Sequence, residues 1–358
     1  MSTLTTNYLA PSGREEAWRF TPLNRLGGLL DAQVTLSPVE SFALTGSIVG
    51  VSLSTQSSEP VSQSSDSATL RARAAISQSQ VLEVAKNYES SEPIILTRTG
   101  LTGAPQASRL LVKVGANAHA KLLIQNSGSA LLAEEIEFVL EPGSALHFIS
   151  IQDWDSQAVH LGRHHAIIGK DATFTSTVVT IGGSLVRLLP TVEYSGPGSS
   201  ADLSGVYFAT DGQHLEHRIH VDHNIPNAKS RVNYKGALAG DKARTVWIGD
   251  VYIRAQAEGT DTYELNRNLL LSDGARADSV PNLEIETGEI VGAGHASTTG
   301  RFDDEQLFYL ESRGIPADIA RKLVIRGFFS EIVSLIKVED VEERIMARID
   351  LELEKVGK

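Results

Sequence analysis

From about Leu110 to Ile290 the chain is a succession of short β-type runs, "RLLVKV", "AKLLIQ", "IEFVL", "LHFISI", "TFTSTVVTI", "VYFAT", "RTVWIGDVYIRA" and "LEIET". Many alternate with period two, as in Val246/Ile248 and Val251/Ile253, the pattern of half-buried strands. Between them lie corners of small residues: "GANAHAK" at Gly115, "PGSALH" at Pro142, "GKDATFT" at Gly169, "GPGSSADL" at Gly196, "PNAKSRV" at Pro226 and "GDKARTV" at Gly240. The first five recur at roughly 26 to 30 residues, as a β-solenoid would, each coil stacking on the last to extend one core. An antiparallel sandwich fits the same texture, because Asp211-Gly212 and Asp273-Gly274 are hairpin-type pairs.

The flanks differ from this middle. Residues 14–32 place Trp18, Phe20 and Leu23 among charged residues, which predicts a short helix with an aromatic anchor. The stretch "STQSSEPVSQSSDSATLRARAA" from Ser54 has few apolar residues and reads as an exposed loop or flexible linker. A helix is predicted near Ser77–Asn87. After Thr299 the chain turns helical: Asp303 and Gln306 have capping-box spacing, Leu307, Phe308 and Leu310 follow, and Gly314 is placed to end the helix. Pro316 then suits the first turn of a second helix with Ile319, Leu323, Phe328, Ile332 and Leu335 on one stripe. A third, from Asp340 with Glu343 as capping partner, carries Val341, Ile345, Ile349 and Val356. The divisions are therefore residues 1–105, partly helical with the Ser-rich loop; 106–298, the β core; and 299–358, helical. The second helix is apolar over more than one stripe, with Val324, Ile325, Phe328, Phe329, Ile332 and Val333, so it is either buried on two sides or docks a partner.

A chain of 358 residues, 41% of them hydrophobic, can bury a sizeable core. With 44 acidic against 32 basic residues and a net charge of −12, neither nucleic acid nor an anionic membrane is an expected partner. The N-terminal stretch lacks the basic and apolar regions of a secretory signal, and no apolar run of about 18 residues occurs. A cytoplasmic location is expected. The absence of cysteine excludes disulfides, thiolate nucleophiles and thiolate metal ligands from this chain.

Among ten histidines, His214, His217, His220 and His223 fall at a strict interval in "HLEHRIHVDH". On a helix they would nearly align as a metal site; in a strand they alternate faces and cannot converge. The flanking Ile219 and Val221 favour the strand. His164 and His165 are adjacent, diverge in any regular structure, and read as surface residues. "GAGHAS" misses the last glycine of GxGxxG, and no phosphate loop, GxSxG or HExxH is present, so an enzyme is the weaker hypothesis. His295 stands between Gly294 and Ala296; glycines at 292 and 294 permit positive φ and close approach. It is open either to contact with another chain or to a local role, bonding a carbonyl at a corner.

Three stretches, "YKGALAGDKARTVWIGDVYI" from Tyr234, "TDTYELNRNLLLSDGARADSVPNLEIET" from Thr260 and "GAGHASTTGRFDDEQLFYLESRGIP" from Gly292, resemble the SufBD family of iron-sulfur cluster assembly scaffolds, and "AWRFTPL" at Ala17 resembles its SufD branch. The resemblance implies a mainly β fold, a right-handed parallel β-helix core flanked by N-terminal and C-terminal helical regions. It implies a non-catalytic, SufD-like scaffold subunit that pairs through its β-helix with a SufB-like chain and through its C-terminal helices with SufC, an ABC-type ATPase. Sulfur would reach the assembly indirectly, from a cysteine desulfurase system. A homodimer through the same edge is equally open.

SufB-like members carry a β-helix cysteine, absent here. His295 occupies the position of the family histidine six residues before an arginine, Arg301, at the subunit interface, and imidazole is a competent iron ligand. The iron-sulfur cluster would be transient and shared with the partner chain; this chain alone would hold none. Where SufB-like chains have a glutamate after that histidine, this one has Ala296, so carboxylate and sulfur ligands are expected from the partner. Phe328, Phe329, Ile325 and Ile332 become the expected ATPase-docking residues. The alternative is a purely structural or ATPase- or iron-recruiting subunit that never touches the cluster.

Overall fold

The computed structural model describes residues 10–89, 92–302 and 304–356. It is mainly β, a parallel β-solenoid of about eight turns with helices toward both ends. One sheet runs from Ser79–Val84 through Pro105–Val114, Leu131–Leu140, Val159–Ile168, Leu185–Tyr194, His214–His223 and Arg244–Ile253 to Arg276–Ile285. The other runs from Ile94–Arg98 through His119–Gly128, Ala145–Trp154, Thr173–Thr180, Ser200–Ala209, Lys229–Leu238 and Asp261–Leu270 to Gly292–Arg301. The ladders between successive coils are parallel, from Pro105 opposite Leu131 to Arg244 opposite Arg276. Antiparallel pairing is confined, among the described residues, to Val51–Gln56 on Ser79–Val84 and Phe42–Leu44 on Ile94–Arg98, which cap the N-terminal end. The sandwich is thereby excluded, and Asp211-Gly212 and Asp273-Gly274 are corners between the two sheets.

The corners explain why the coils stay in step. Asn117, Gly143, Asp171, Gly198, Asn227 and Lys242 all have positive φ, so each corner segment singled out by sequence holds at least one such residue. That conformation is cheapest for glycine and tolerable for asparagine and aspartate, whose short side chains bond locally. Corners also stack: a Cβ at Gly143 would collide with Asn117 Oδ1, and one at Gly198 with Asp171 Oδ1. Inside, Phe138 packs against Phe148 and Phe174 at centroid separations of 4.7 and 5.1 Å, amid buried Leu, Ile and Val from both sheets.

The outer faces are covered by the flanks. Trp18, Leu26, Leu29 and a helix α1 (Ser67–Ala75) pack on the first sheet against Ala107, Ala133, Leu161 and Leu185. The segment around Trp18 forms 3-10 turns, Glu16–Trp18 and Leu23–Arg25, with the Trp18 ring under the Arg187 guanidinium at 3.8 Å. The Ser-rich stretch is not a free linker, and the predicted helix is displaced. Residues 79–84 form a strand, while α1 lies within the serine-rich stretch, capped by Asp66, which accepts from the Thr69 N–H at 3.0 Å. What apolar burial does not supply here, buried charge does: Arg73, Arg109 and Arg163 converge on Glu135, and Glu137 accepts from the Ser62 N–H and hydroxyl. The parallel ladder also starts ahead of residue 106, at Ser79–Val84.

The second sheet's outer face, Leu123, Ile149, Val179, Val206, Phe208 and Ala237, is covered by the C-terminal helices α3 (Ala317–Val333) and α4 (Glu339–Val356), while the preceding helix α2 (Asp304–Ser312) packs on α3. At the end of α2, Gly314 has φ +83°, its N–H bonds Glu311, and the Ile315 N–H bonds Leu310, a Schellman stop as predicted. Asp303 of the expected capping box lies outside the described residues. Of the stripe predicted for this helix, Ile332 is buried and Phe328 half-buried, whereas Ile319, Leu323 and, just past α3, Leu335 are exposed; Ile325, Phe329 and Val333 complete the buried face. Both faces are apolar, and the sheet's shape selects one. On α4, Val341, Ile345 and Ile349 are buried as expected, and the Val338 N–H donates to Glu342 rather than engaging Glu343.

Candidate functional site

The two ends of the solenoid are unequal. The N-terminal end is closed by the antiparallel caps, whereas among the described residues Arg276–Ile285 and Gly292–Arg301 are the last strands of their sheets, and their residues are partly or wholly exposed. Here the last coil displays Val291, Ile285 and Tyr263 as exposed apolar side chains.

His295 sits in the middle of this final strand, not at a corner. Its flanking glycines do not have positive φ; Gly294 instead leaves room for the Tyr263 ring, which a Cβ would approach to 3.0 Å. The strand is in register with Asp261–Leu270, so His295 lies directly over Glu264. Its side chain is 43% exposed, with Nδ1 3.6 Å from Glu264 Oε1. Glu264 itself has no exposed surface, and neither carboxyl oxygen has a hydrogen-bond partner. Burial, reinforced by Asp250, pushes its carboxyl up to about 8. Room for that carboxyl comes from Gly249, where a Cβ would overlap Oε2.

Polar groups line the interior behind this pair. Asn266 donates to the Tyr207 hydroxyl at 2.9 Å, Tyr207 donates to Asn268 Oδ1 at 2.7 Å, and Ser279 donates to Asn266 Oδ1 at 2.8 Å. A Ser279–Ser297 contact of 2.7 Å carries the network to the last strand. Sequence reasoning missed Glu264, although the signal is there: Thr262, Glu264, Asn266 and Asn268 occupy the inward phase of a strand, where the earlier coils place apolar residues. Among the described residues no group of three or more metal-ligating side chains occurs.

The histidines of the two sequence runs lie within the sheets, away from His295. His214–His223 is a strand whose histidines alternate faces: His217 and His223 pack on interior Tyr207 and Tyr194, while His214 bonds Glu216 beside the N-terminal segment. His164 and His165 are not surface residues but are buried in the sheet, since both faces of that strand are covered. Burial depresses His164 and His217 to about 3 and His165 to about 2, leaving them neutral.

The docking residues expected on α3 are redistributed as well. Ile325, Phe329 and Ile332 have no exposed surface and hold α3 on the solenoid. Phe328 is half-buried beside Lys235, which donates to its carbonyl at 2.9 Å and to Glu331 at 2.7 Å. Apolar surface left open includes Phe308 and Tyr309 of α2 and Ile319 and Leu323 of α3, with Leu335 and Leu351 exposed elsewhere in the helical region. A large surface groove, lined by residues that include Arg25, Ser184, Asp211 and Arg348, contains neither His295 nor Glu264. No helix among the described residues is long and apolar enough to cross a membrane.

These features define a class: a parallel β-solenoid capped at one end, open at the other, with an imidazole on the last strand and a helical bundle on its flank. The description "SUF system FeS cluster assembly, SufBD core domain" matches residues 96–328. An iron-sulfur cluster assembly SufBD family protein of Mycobacterium tuberculosis (strain H37Rv) is 48% identical over 96% of this chain and 89% of its own length. One from Mycobacterium leprae is 47% identical over 96% and 90%. The iron-sulfur cluster assembly protein SufD of Escherichia coli K12 is 30% identical over 53% of this chain and 44% of that protein. The chain belongs to the SufBD family of iron-sulfur cluster assembly proteins.

Proposed function

We propose that this chain is a SufD-like scaffold subunit without catalytic activity of its own, working in the cytoplasm. It pairs through the open end of the solenoid with a SufB-like chain that supplies the thiolate, and His295 contributes an imidazole to a transient iron-sulfur cluster at that junction. The observation that carries this reading is the position of His295, half-exposed on the terminal strand of the uncapped end. An unpaired strand edge offers backbone donors and acceptors to a second chain, and a chain without cysteine needs that chain to complete a cluster site.

The C-terminal helices dock a SufC-like ABC ATPase. The face formed by Phe308, Tyr309, Ile319 and Leu323 supports this role better than the buried Phe329 cluster, since only exposed apolar surface can be covered by a partner. ATP-driven work reaches the cluster site only if the ATPase binds two scaffold arrangements with different affinity. Sulfur arrives indirectly, from a cysteine desulfurase system through the SufB-like chain.

The test is co-expression with SufB-like and SufC-like proteins, native mass measurement, and anaerobic reconstitution. A heterotypic complex whose cluster spectrum changes with His295→Ala is the expected result. A normal spectrum in that variant leaves a purely structural or recruiting subunit; a homodimer alone removes the heterodimer reading.

A further inference from the structure

Glu264 is anomalous among the buried glutamates. Glu134 is bound by Arg98, Glu135 and Glu137 by Arg73 and Arg109, Glu216 by Arg187, and Glu352 by Arg348. Glu264 has no guanidinium or ammonium; among the described residues its one charged-pair neighbour is His295. A buried carboxylate is retained at low cost only when a cation and hydrogen bonds compensate its lost hydration. Glu264 lacks that compensation, and its one neighbour able to share a cation with it, His295, stands at the open end.

We propose that Glu264 and His295 form a two-donor half-site for a divalent first-row cation. This rests on the reading of the open end as the assembly site, where the cation would be ferrous iron on its way to the cluster. The separation of 3.6 Å between Nδ1 and Oε1 is beyond a good hydrogen bond. It suits a bridging ion, which at about 2.1 Å from each donor would see them roughly 120° apart. A mixed imidazole and carboxylate set suits ferrous iron and its neighbours in the series. The imidazole of the pair is 43% exposed, so water or a partner's thiolate can reach it. The carboxylate that Ala296 cannot supply thus comes from the adjacent strand of the same chain, in register with the histidine.

The experiment uses the purified full chain under anaerobic conditions, titrated with Co²⁺ and followed by its visible absorption, then with Fe²⁺ by calorimetry. The wild type should take up one equivalent of metal. Glu264→Gln, which keeps the shape but cannot become a carboxylate ligand, should weaken binding about 10- to 100-fold, and His295→Ala should weaken it at least as much. Glu286→Gln, at an exposed carboxylate, should change nothing, with circular dichroism confirming the fold of each variant. No uptake by the wild type up to millimolar Co²⁺, or equal binding by Glu264→Gln, overturns the half-site. Pairing with the SufB-like chain is measured separately: if pairing and cluster formation survive Glu264→Gln unchanged, the half-site falls while the scaffold reading stands. If metal binds as described and no pairing occurs, the half-site stands and the scaffold reading falls.

Discussion

Replacing Phe329 with alanine should loosen the C-terminal helices from the solenoid without unfolding the solenoid itself. Phe329 has no exposed surface and belongs, with Ile325, Ile332, Ile345, Val206 and Phe208, to the core that α3, α4 and the outer face of the second sheet share. Truncating a buried Phe to Ala costs about 3 to 5 kcal/mol. The coils remain joined by their own ladders, so the loss falls on docking. At 1.4 kcal/mol per tenfold, the undocked population should rise roughly a hundred- to several-thousand-fold. Hydrogen exchange reads this directly: amides of α3 and α4 should lose protection by that factor, while Leu131–Leu140 and Val159–Ile168 keep theirs. Leu323→Lys, at a 47% exposed position on the same helix, is the control and should move stability by no more than about 0.5 kcal/mol. Unchanged exchange in Phe329→Ala, or undocking in Leu323→Lys, would refute the assignment of buried and free faces.

Three further outcomes follow from other parts of the molecule. Tyr207 and Tyr234 interlock with Gly236 and Gly205 on neighbouring strands, and a Cβ at Gly236 would overlap the Tyr207 ring; Gly236→Ala should therefore lower stability by about 1 to 3 kcal/mol through overpacking, measured as the urea midpoint, and an unshifted midpoint would contradict the interlock. His164, His165 and His217 are held neutral by burial, with pKa values well below the ordinary 6.5. As pH falls below 6.5 the unfolded chain takes up protons that the folded chain refuses, so stability declines by up to about 1.4 kcal/mol per pH unit for each histidine. The urea midpoint should drop between pH 6.5 and 4.5, and His164→Leu should flatten that slope; an equally steep slope would show that His164 is not the source. Removing the charge of Glu135 leaves Arg73, Arg109 and Arg163 without a common partner, and breaking such buried pairs costs about 3 to 5 kcal/mol. Glu135→Gln should accordingly open the segment 57–66 to protease, and continued resistance there would mean that the serine-rich segment is held by something else.

Much of the architecture was legible because it is written in local rules. Period-two runs marked the strands, and every corner proposed between Gly115 and Lys242 holds a residue of positive φ, since only a few residue types tolerate that conformation. Solenoid and sandwich remained alternatives, because strand spacing does not encode which strand lies beside which. By hydrophobicity the serine-rich stretch reads as a linker, whereas Arg73, Arg109, Arg163, Glu135 and Glu137 hold it through charge paired across distant coils. His164 and His165 were misplaced for a related reason: a strand covered on both faces buries polar residues that a half-exposed strand would display.

By itself the sequence determined that the chain has no thiolate, that its middle is a run of stacked strand-and-corner units, and that His295 stands in a stretch shared with a scaffold family. Composition and short-range stereochemistry suffice for those. Only the tertiary structure decided which face of α3 is free, that one end of the solenoid is open, and that Glu264 lies beneath His295. Those depend on residues far apart in the chain, brought together by parallel register and coverage, and such long-range pairing leaves no periodic trace in a single strand or helix.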